Sequence, residues 1–220
     1  MSDDWDAILF DLDGTLADSI SLIMRCYRHT MLVHLGYEPP DELWQRGIGT
    51  PLDVQLAGFA RTDSERIAMR ETYRAFQHTI HDRLVRAYPG VIDGLAAFAE
   101  RRVRMAVVTS KGREMADRTM RICGLERLFH VVVTADDVSR GKPDPEPVLK
   151  ALDSLGGHDT RRVLFVGDAP MDVEAGRAAG VRTAAASWGA FSAESLLRAR
   201  PDFLFRTFAE VVGASPALAA

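Results

Sequence analysis

The chain has 220 residues, 47% hydrophobic and 26% charged, enough to bury a sizeable core with room for one added subdomain. Its net charge of -4 offers no basic field for nucleic acid and is repelled by anionic lipid, which counts against nucleic-acid and membrane-surface partners. The N-terminus MSDDWD is acidic where a signal peptide carries positive charge, and no apolar run approaches the ~20 residues that span a bilayer, so the cytoplasm is the expected compartment.

The first predicted element is a strand, AILF (7–10), which runs straight into Asp11 and Asp13. From Ala17 to about Val85 no strand-like run follows, only helical patterning punctuated at Gly36, Pro39, Pro40, Gly47, Gly49 and Gly58. The last helix of this segment starts at TDSE, where Thr62 and Glu65 fit a capping box, and extends to about Leu84. Strands are then predicted at 104–109, 130–135, 162–167 and 182–187, with helices at 91–102, 112–123, 145–156, 171–179 and 193–200. Continuous apolar strands alternating with helices predict an α/β, doubly wound parallel sheet, helices covering both faces. Residues 1–16 and 86–220 would form the core and 17–85 an inserted all-helical subdomain. The tail GASPALAA reads as frayed, and Cys26 and Cys123 as two buried free thiols.

In such a sheet, ligands bind at the carboxyl ends of the strands. The polar residues expected there are Asp11 and Asp13 after the first strand and Thr109, Ser110 and Lys111 after the second. Lys142 follows the third strand, and Asp168 and Asp172 the fourth. The set suits a phosphate ester with Mg²⁺, a hard cation that takes carboxylate oxygens from more than one loop. Asp11 and Asp13 alternate to one side of extended chain, about 7 Å apart along the backbone, so one can attack while the other handles protons. Lys142 would offset the charge of phosphate and nucleophile, and Thr109 would hold phosphoryl oxygens. Ser110 reads either as a phosphate ligand or as a helix cap, and Lys111 as a solvated lysine within reach of a substrate. His78 and His81 read as a solvated helix face, and Trp44 as packing beside a loop.

In order and spacing, the motifs DLDGTLADS, VVTSK, GKPDPEP and GDAPMD resemble those of the haloacid dehalogenase-like hydrolase superfamily, and the stretches RGIGTPLDV and VRAYPGVIDGL resemble its phosphoglycolate phosphatase-like subgroup with a helical cap, including cytosolic pyrophosphatases of the same type. The resemblance implies Asp11 as nucleophile and metal ligand. It implies Asp13 as general acid/base with its backbone carbonyl on the metal, and Asp168 as the remaining ligand of a Mg²⁺ cofactor. Thr109, Ser110 and Lys142 would bind phosphate, and Asp172 would hold a metal water or Lys142. The segment 17–85 would be the cap, with Arg46 and Gly47 at its specificity loop, Arg46 meeting a second anionic group on the substrate. Asp13 argues for phosphoryl transfer over dehalogenation, the lysine-free cap against a phosphonatase, and Ile23 against a mutase, which places a histidine there. The function implied is a phosphatase acting on a small phosphorylated metabolite by way of an aspartyl-phosphate. Phosphoglycolate is the first candidate, and pyrophosphate or a nucleoside monophosphate the alternative. A non-catalytic binding module is disfavoured, because Asp11, Asp13, Thr109, Lys142 and Asp168 are all present. The assembly would be a monomer or homodimer.

Overall fold

The structure is a computed structural model and describes residues 4–157 and 159–219; the acidic Met1–Asp3 and Ala220 of the tail lie outside these. In chain order the elements are β1 (Ala7–Phe10), β2 (Ala17–Asp18), α1 (Ile20–Leu35), α2 (Asp41–Gln45), α3 (Leu52–Ala57), α4 (Asp63–Leu84), β3 (Arg86–Ala87), α5 (Val91–Glu100), β4 (Arg104–Val108), α6 (Arg113–Ile122) and β5 (Val131–Val133). There follow α7 (Glu146–Ser154), β6 (Val163–Gly167), α8 (Pro170–Ala178), β7 (Arg182–Ala186), α9 (Ala193–Arg198), β8 (Phe203–Phe205) and α10 (Phe208–Gly213).

Six strands form one parallel sheet in the order β5-β4-β1-β6-β7-β8, so the expected doubly wound α/β core is present. β1 is buried along its whole length because both sheet faces are covered. Ile8 and Phe10 point to the side of α5, α6 and α10, against Leu95, Phe98, Met120 and Phe208. Ala7 and Leu9 point to the other face, against Val148, Ala151, Leu152 and Ala175 of α7 and α8. After β1 the chain builds outward to β4 and β5, then returns to β1's other side for β6. The connections diverge there, and the carboxyl ends of β1, β4 and β6 open a crevice between them.

The predicted strands and helices occur within a residue or two of the expected ends. β8 and α10 were not predicted: β8 is the edge strand, paired with β7, and its three residues are too short a run to carry a period. The segment after Ala17 was expected to hold no strand. It nevertheless begins with β2, which pairs antiparallel with β3 where the segment ends, Ala17 opposite Ala87 and Asp18 opposite Arg86. Between these strands lie α1–α4. Thr62 caps α4 through the Glu65 N–H (3.1 Å), while the Glu65 carboxylate reaches back to the Arg61 N–H (2.6 Å). Trp44 is fully packed, its ring 4.8 Å from Tyr27, 5.8 Å from Phe59 and 5.9 Å from Tyr73. Cys26 and Cys123 are buried free thiols, as expected. The tail is not wholly irregular, since Pro216–Ala219 forms a 3-10 turn. Among the described residues no helix is long and apolar enough to cross a membrane.

Candidate active site

Asp11 follows the last residue of β1, and its N–H still bonds the Val166 carbonyl of β6 at 2.9 Å, so the sheet itself fixes its backbone. The chain then turns at Gly14, whose φ of 82° favours a residue without a side chain. A Cβ at Gly14 would stand 2.2 Å from Asp168 Oδ2, which ties that glycine to the close approach of the β1 and β6 loops.

Asp11, Asp168 and Asp172 are buried, and an oxygen of each lies within 4.8 Å of the others. Lys142 is buried with them, its Nζ 3.0 Å from Asp11 Oδ1 and 2.5 Å from Asp172 Oδ1, and 5.8 Å above the Phe165 ring. Burial lowers the basicity of an ammonium, but the two carboxylates outweigh it and hold Lys142 above the ordinary lysine value. Burial and the Asp11 and Asp172 charges push Asp168 well above the usual carboxylate range. Burial likewise raises Asp11 despite Lys142. Asp168 accepts hydrogen bonds from the Thr15 hydroxyl (3.2 Å) and the Ala190 N–H (2.7 Å), with no ion pair among the described residues. Three buried carboxylates facing a single ammonium leave a deficit of positive charge. Asp11 and Asp168 carry most of it, in a donor set made of oxygens, which fits a hard divalent cation. Asp172 is engaged differently: one oxygen takes Lys142 and the other caps α8 at the Ala169 N–H (3.0 Å).

Asp13 lies beside this cluster. Its carboxylate accepts both contacts of the Lys111 ammonium, at 2.6 and 2.7 Å, and the Ser19 hydroxyl at 2.6 Å. Burial would raise its pKa, yet Lys111 and the hydrogen bonds prevail and hold it below the usual carboxylate value. Lys111, read from sequence as solvated, is buried in this pair, because the turn after β4 aims it back across the crevice.

A cavity of about 220 Å³ opens over Asp11 and Asp13. The turn after β4 supplies Thr109, Ser110 and Lys111, while α4 presents Tyr73, Arg74, Gln77 and His78, one and four residues apart on one face. Thr109 Oγ1 accepts the Lys111 N–H at 3.2 Å. The Ser110 hydroxyl donates to the Gly49 carbonyl at 2.6 Å and so joins the core to the helical segment; the cap of α6 is Gly112, not Ser110.

Of the residues singled out in the sequence, Asp11, Asp13, Thr109, Ser110, Lys142, Asp168 and Asp172 are brought to the crevice. Arg46 and Gly47 are not among the residues lining this cavity: Arg46 ends α2 on the exposed surface, and Gly47 lines a separate hollow beside Trp44. The arginine of the helical segment that does line it is Arg74, whose place on α4 could have been sought from the i, i+3, i+4 spacing with Tyr73 and Gln77. The reading of a solvated histidine face holds for His78 alone. His81 is fully buried, its ring nitrogens paired with Asp82 (2.8 Å) and with Thr119 of α6 (2.9 Å), because the end of α4 packs on the core.

The family model of haloacid dehalogenase-like hydrolases matches residues 8–186. The pyrophosphatase PpaX of Bacillus velezensis is 38% identical over 207 residues, covering 94% of each chain. Among solved structures, a haloacid dehalogenase-like hydrolase from Bacteroides fragilis superposes with a TM-score of 0.86 at 25% identity, over 94% of this chain and 100% of that one. A predicted phosphoglycolate phosphatase from Haemophilus somnus has a TM-score of 0.86 at 23% identity, over 97% and 98%, a likeness of fold. With the family model covering the sheet from β1 to β7 and the four strand-end motifs meeting in one crevice, the chain belongs to the haloacid dehalogenase-like hydrolase family.

Proposed function

We propose that the protein is a Mg²⁺-dependent phosphohydrolase that works through an aspartyl-phosphate on Asp11, with inorganic pyrophosphate as its preferred substrate. The observation that carries the chemistry is the buried group of Asp11, Asp168 and Asp172 around one lysine, beside a cavity that Asp11 and Asp13 floor. Asp11 and Asp168, with the Asp13 carbonyl, would hold Mg²⁺, which when bound supplies charge neutralisation between nucleophile and phosphoryl oxygens.

In the first half-reaction an Asp11 carboxylate oxygen forms a bond to phosphorus as the bond to the leaving oxygen breaks. A leaving phosphate needs no proton from Asp13, which Lys111 holds as the carboxylate; a more basic leaving oxygen would take one from Asp13 only after Asp13 had itself been protonated. In the second, water gives a proton to Asp13 as it attacks the same phosphorus, the bond from phosphorus to the Asp11 oxygen breaks, phosphate leaves, and Asp13 passes the proton on to solvent. Thr109 and backbone N–H groups hold the phosphoryl oxygens, and Lys142 orients Asp11 and favours its ionised form against the effect of burial. Asp172 positions Lys142. Helices α1–α4 act as the cap that shields the cavity from water.

Pyrophosphate is favoured over phosphoglycolate, the first candidate from the sequence, by the likeness at 38% identity to a protein named a pyrophosphatase. The cavity supports a small substrate too: about 220 Å³ is below the roughly 300–1,000 Å³ of sites for drug-sized ligands, which disfavours nucleoside monophosphates. The test is phosphate release with Mg²⁺ from pyrophosphate, phosphoglycolate, nucleoside monophosphates and p-nitrophenyl phosphate, with Asp11→Asn as the blank. A kcat/KM for pyrophosphate about a hundredfold above the rest, roughly 2.7 kcal/mol, supports the reading. A preference of that size for phosphoglycolate reverses the order. No Asp11-dependent release from any of them removes the enzymatic reading.

A further inference from the structure

The cations that serve the cavity stand in different states. Lys142 is sealed behind Asp11, and Lys150, exposed, is turned away onto the Asp137 carbonyl; of the three lysines only Lys111 lines the cavity. From α4 comes Arg74, exposed and, among the described residues, without a hydrogen bond or ion pair. Its neighbours on the same helix are engaged: Arg66 and Arg70 both bind Asp53. The acidic groups on the lining each have a partner other than Arg74. Asp136 accepts the Arg113 N–H at 2.6 Å, and Glu114 faces His78 at 3.4 Å. Asp11 is held by Lys142 and Asp13 by Lys111.

An unpaired guanidinium on a cavity wall is a ready partner for an anion with two oxygens to offer, such as a carboxylate or phosphate. Lys111 has three donors, two of which sit on the two oxygens of Asp13, so it can keep one and offer another to an incoming charge. We propose that Arg74 and Lys111 form the subsite for the leaving group, selecting substrates whose leaving group carries a second negative charge. The phosphoryl group being transferred lies on the side of Asp11, Thr109 and Lys142. The second anion lies between the α4 face and the turn after β4. Lys111 thus links arrival of the correct leaving group to the position of Asp13. The proposal rests on the phosphohydrolase reading above and assigns to Arg74 the role that the sequence suggested for Arg46.

The test uses pyrophosphate, with its charged leaving group, and p-nitrophenyl phosphate, whose leaving group has no second phosphate or carboxylate, in wild type, Arg74→Ala, Arg74→Lys and Lys111→Arg. In Arg74→Ala the ratio of kcat/KM for pyrophosphate over p-nitrophenyl phosphate should fall about tenfold or more, mainly through KM for pyrophosphate, and Arg74→Lys should recover part of it. A ratio within about twofold of wild type in Arg74→Ala overturns the proposal. Lys111→Arg, which keeps the charge beside Asp13 and so protects the fold, should shift the same ratio. Calorimetry in the Asp11→Asn background with imidodiphosphate and orthophosphate gives a reading without turnover. Arg74→Ala should weaken imidodiphosphate at least about tenfold more than orthophosphate, and equal weakening overturns the subsite. A wild type inert toward both substrates would sink the phosphohydrolase reading, while the imidodiphosphate titration would still decide the subsite.

Discussion

Lys142 Nζ lies 3.0 Å from Asp11 Oδ1 with both side chains buried, so the residue proposed as nucleophile is held by an ammonium that has almost no contact with water. Removing that ammonium leaves Asp11 and Asp172 facing each other uncompensated. Lys142→Met should lower stability by about 3–5 kcal/mol, the usual cost of breaking one side of a buried pair. Denaturant melts at pH 7.5 measure this, and a loss below about 1 kcal/mol would show that the carboxylates relax or take up protons at little expense.

Crowding of buried carboxylates predicts a trade between stability and metal affinity. Asp168 has no ion-pair partner among the described residues, and its charge opposes those of Asp11 and Asp172. Asp168→Asn should therefore raise the melting temperature of the metal-free protein. The same change should abolish the further rise that Mg²⁺ gives the wild type through preferential binding to the folded state. Thermal melts with and without Mg²⁺ decide it, and a variant that keeps the full Mg²⁺-dependent shift would remove Asp168 from the metal site.

His81 supplies a further pH dependence, at the end of α4 where it packs on the core. Its burial, together with the Lys111 and Arg118 charges, outweighs the Asp82 hydrogen bond and lowers its pKa below the ordinary value. Between the unfolded value near 6.5 and the lower folded one, the unfolded chain binds the proton and the native chain does not. The stability due to neutral His81 is present above that range and is lost as pH falls through it. His81→Gln should flatten the decline of melting temperature between pH 7.5 and 5.5. Parallel profiles for variant and wild type would show that His81 does not set that slope.

The aromatic packing of the helical segment should be a large separate contribution. Trp44 is in contact with Tyr27, Phe59 and Tyr73 and is almost wholly buried. Trp44→Ala should cost about 3–5 kcal/mol if the segment unfolds together with the sheet. A biphasic melt, with only the first transition displaced, would instead mean that the helices unfold independently.

How much of this was legible in the sequence depended on how local the cause was. Four apolar residues ending in Asp11, a turn at Gly14 and comparable runs before Thr109 and Asp168 are short-range patterns, and the sheet gathers their ends by topology alone. The Thr62 cap was legible for the same reason, being fixed within four residues. Lys111 was misread because nothing near it in sequence reveals that Asp13, 98 residues away, will take its charge. His81 was misread because Thr119 lies 38 residues further on, on another helix. Arg46 drew attention through flexible glycines beside it, whereas the cavity wall is set by how α4 lies across the core, which brings Arg74 in.

The antiparallel pairing of Ala17–Asp18 with Arg86–Ala87 has a consequence for how such a protein can change. Both crossings between sheet and helices run side by side, so everything from Ile20 to Leu84 hangs from one narrow neck. On the sheet side stand Asp11, Asp13, Thr109, Lys142 and Asp168; beyond the neck stand Tyr73, Arg74, Gln77 and His78. In the proposed division, bond making rests on the sheet side, while substrate choice is shared between Arg74 beyond the neck and Lys111 on the sheet side. On the proposed subsite, a substitution at Arg74 would retune which leaving group is accepted while leaving the hydrogen bonds of the strand-end acids in place, since Arg74 makes none with them among the described residues.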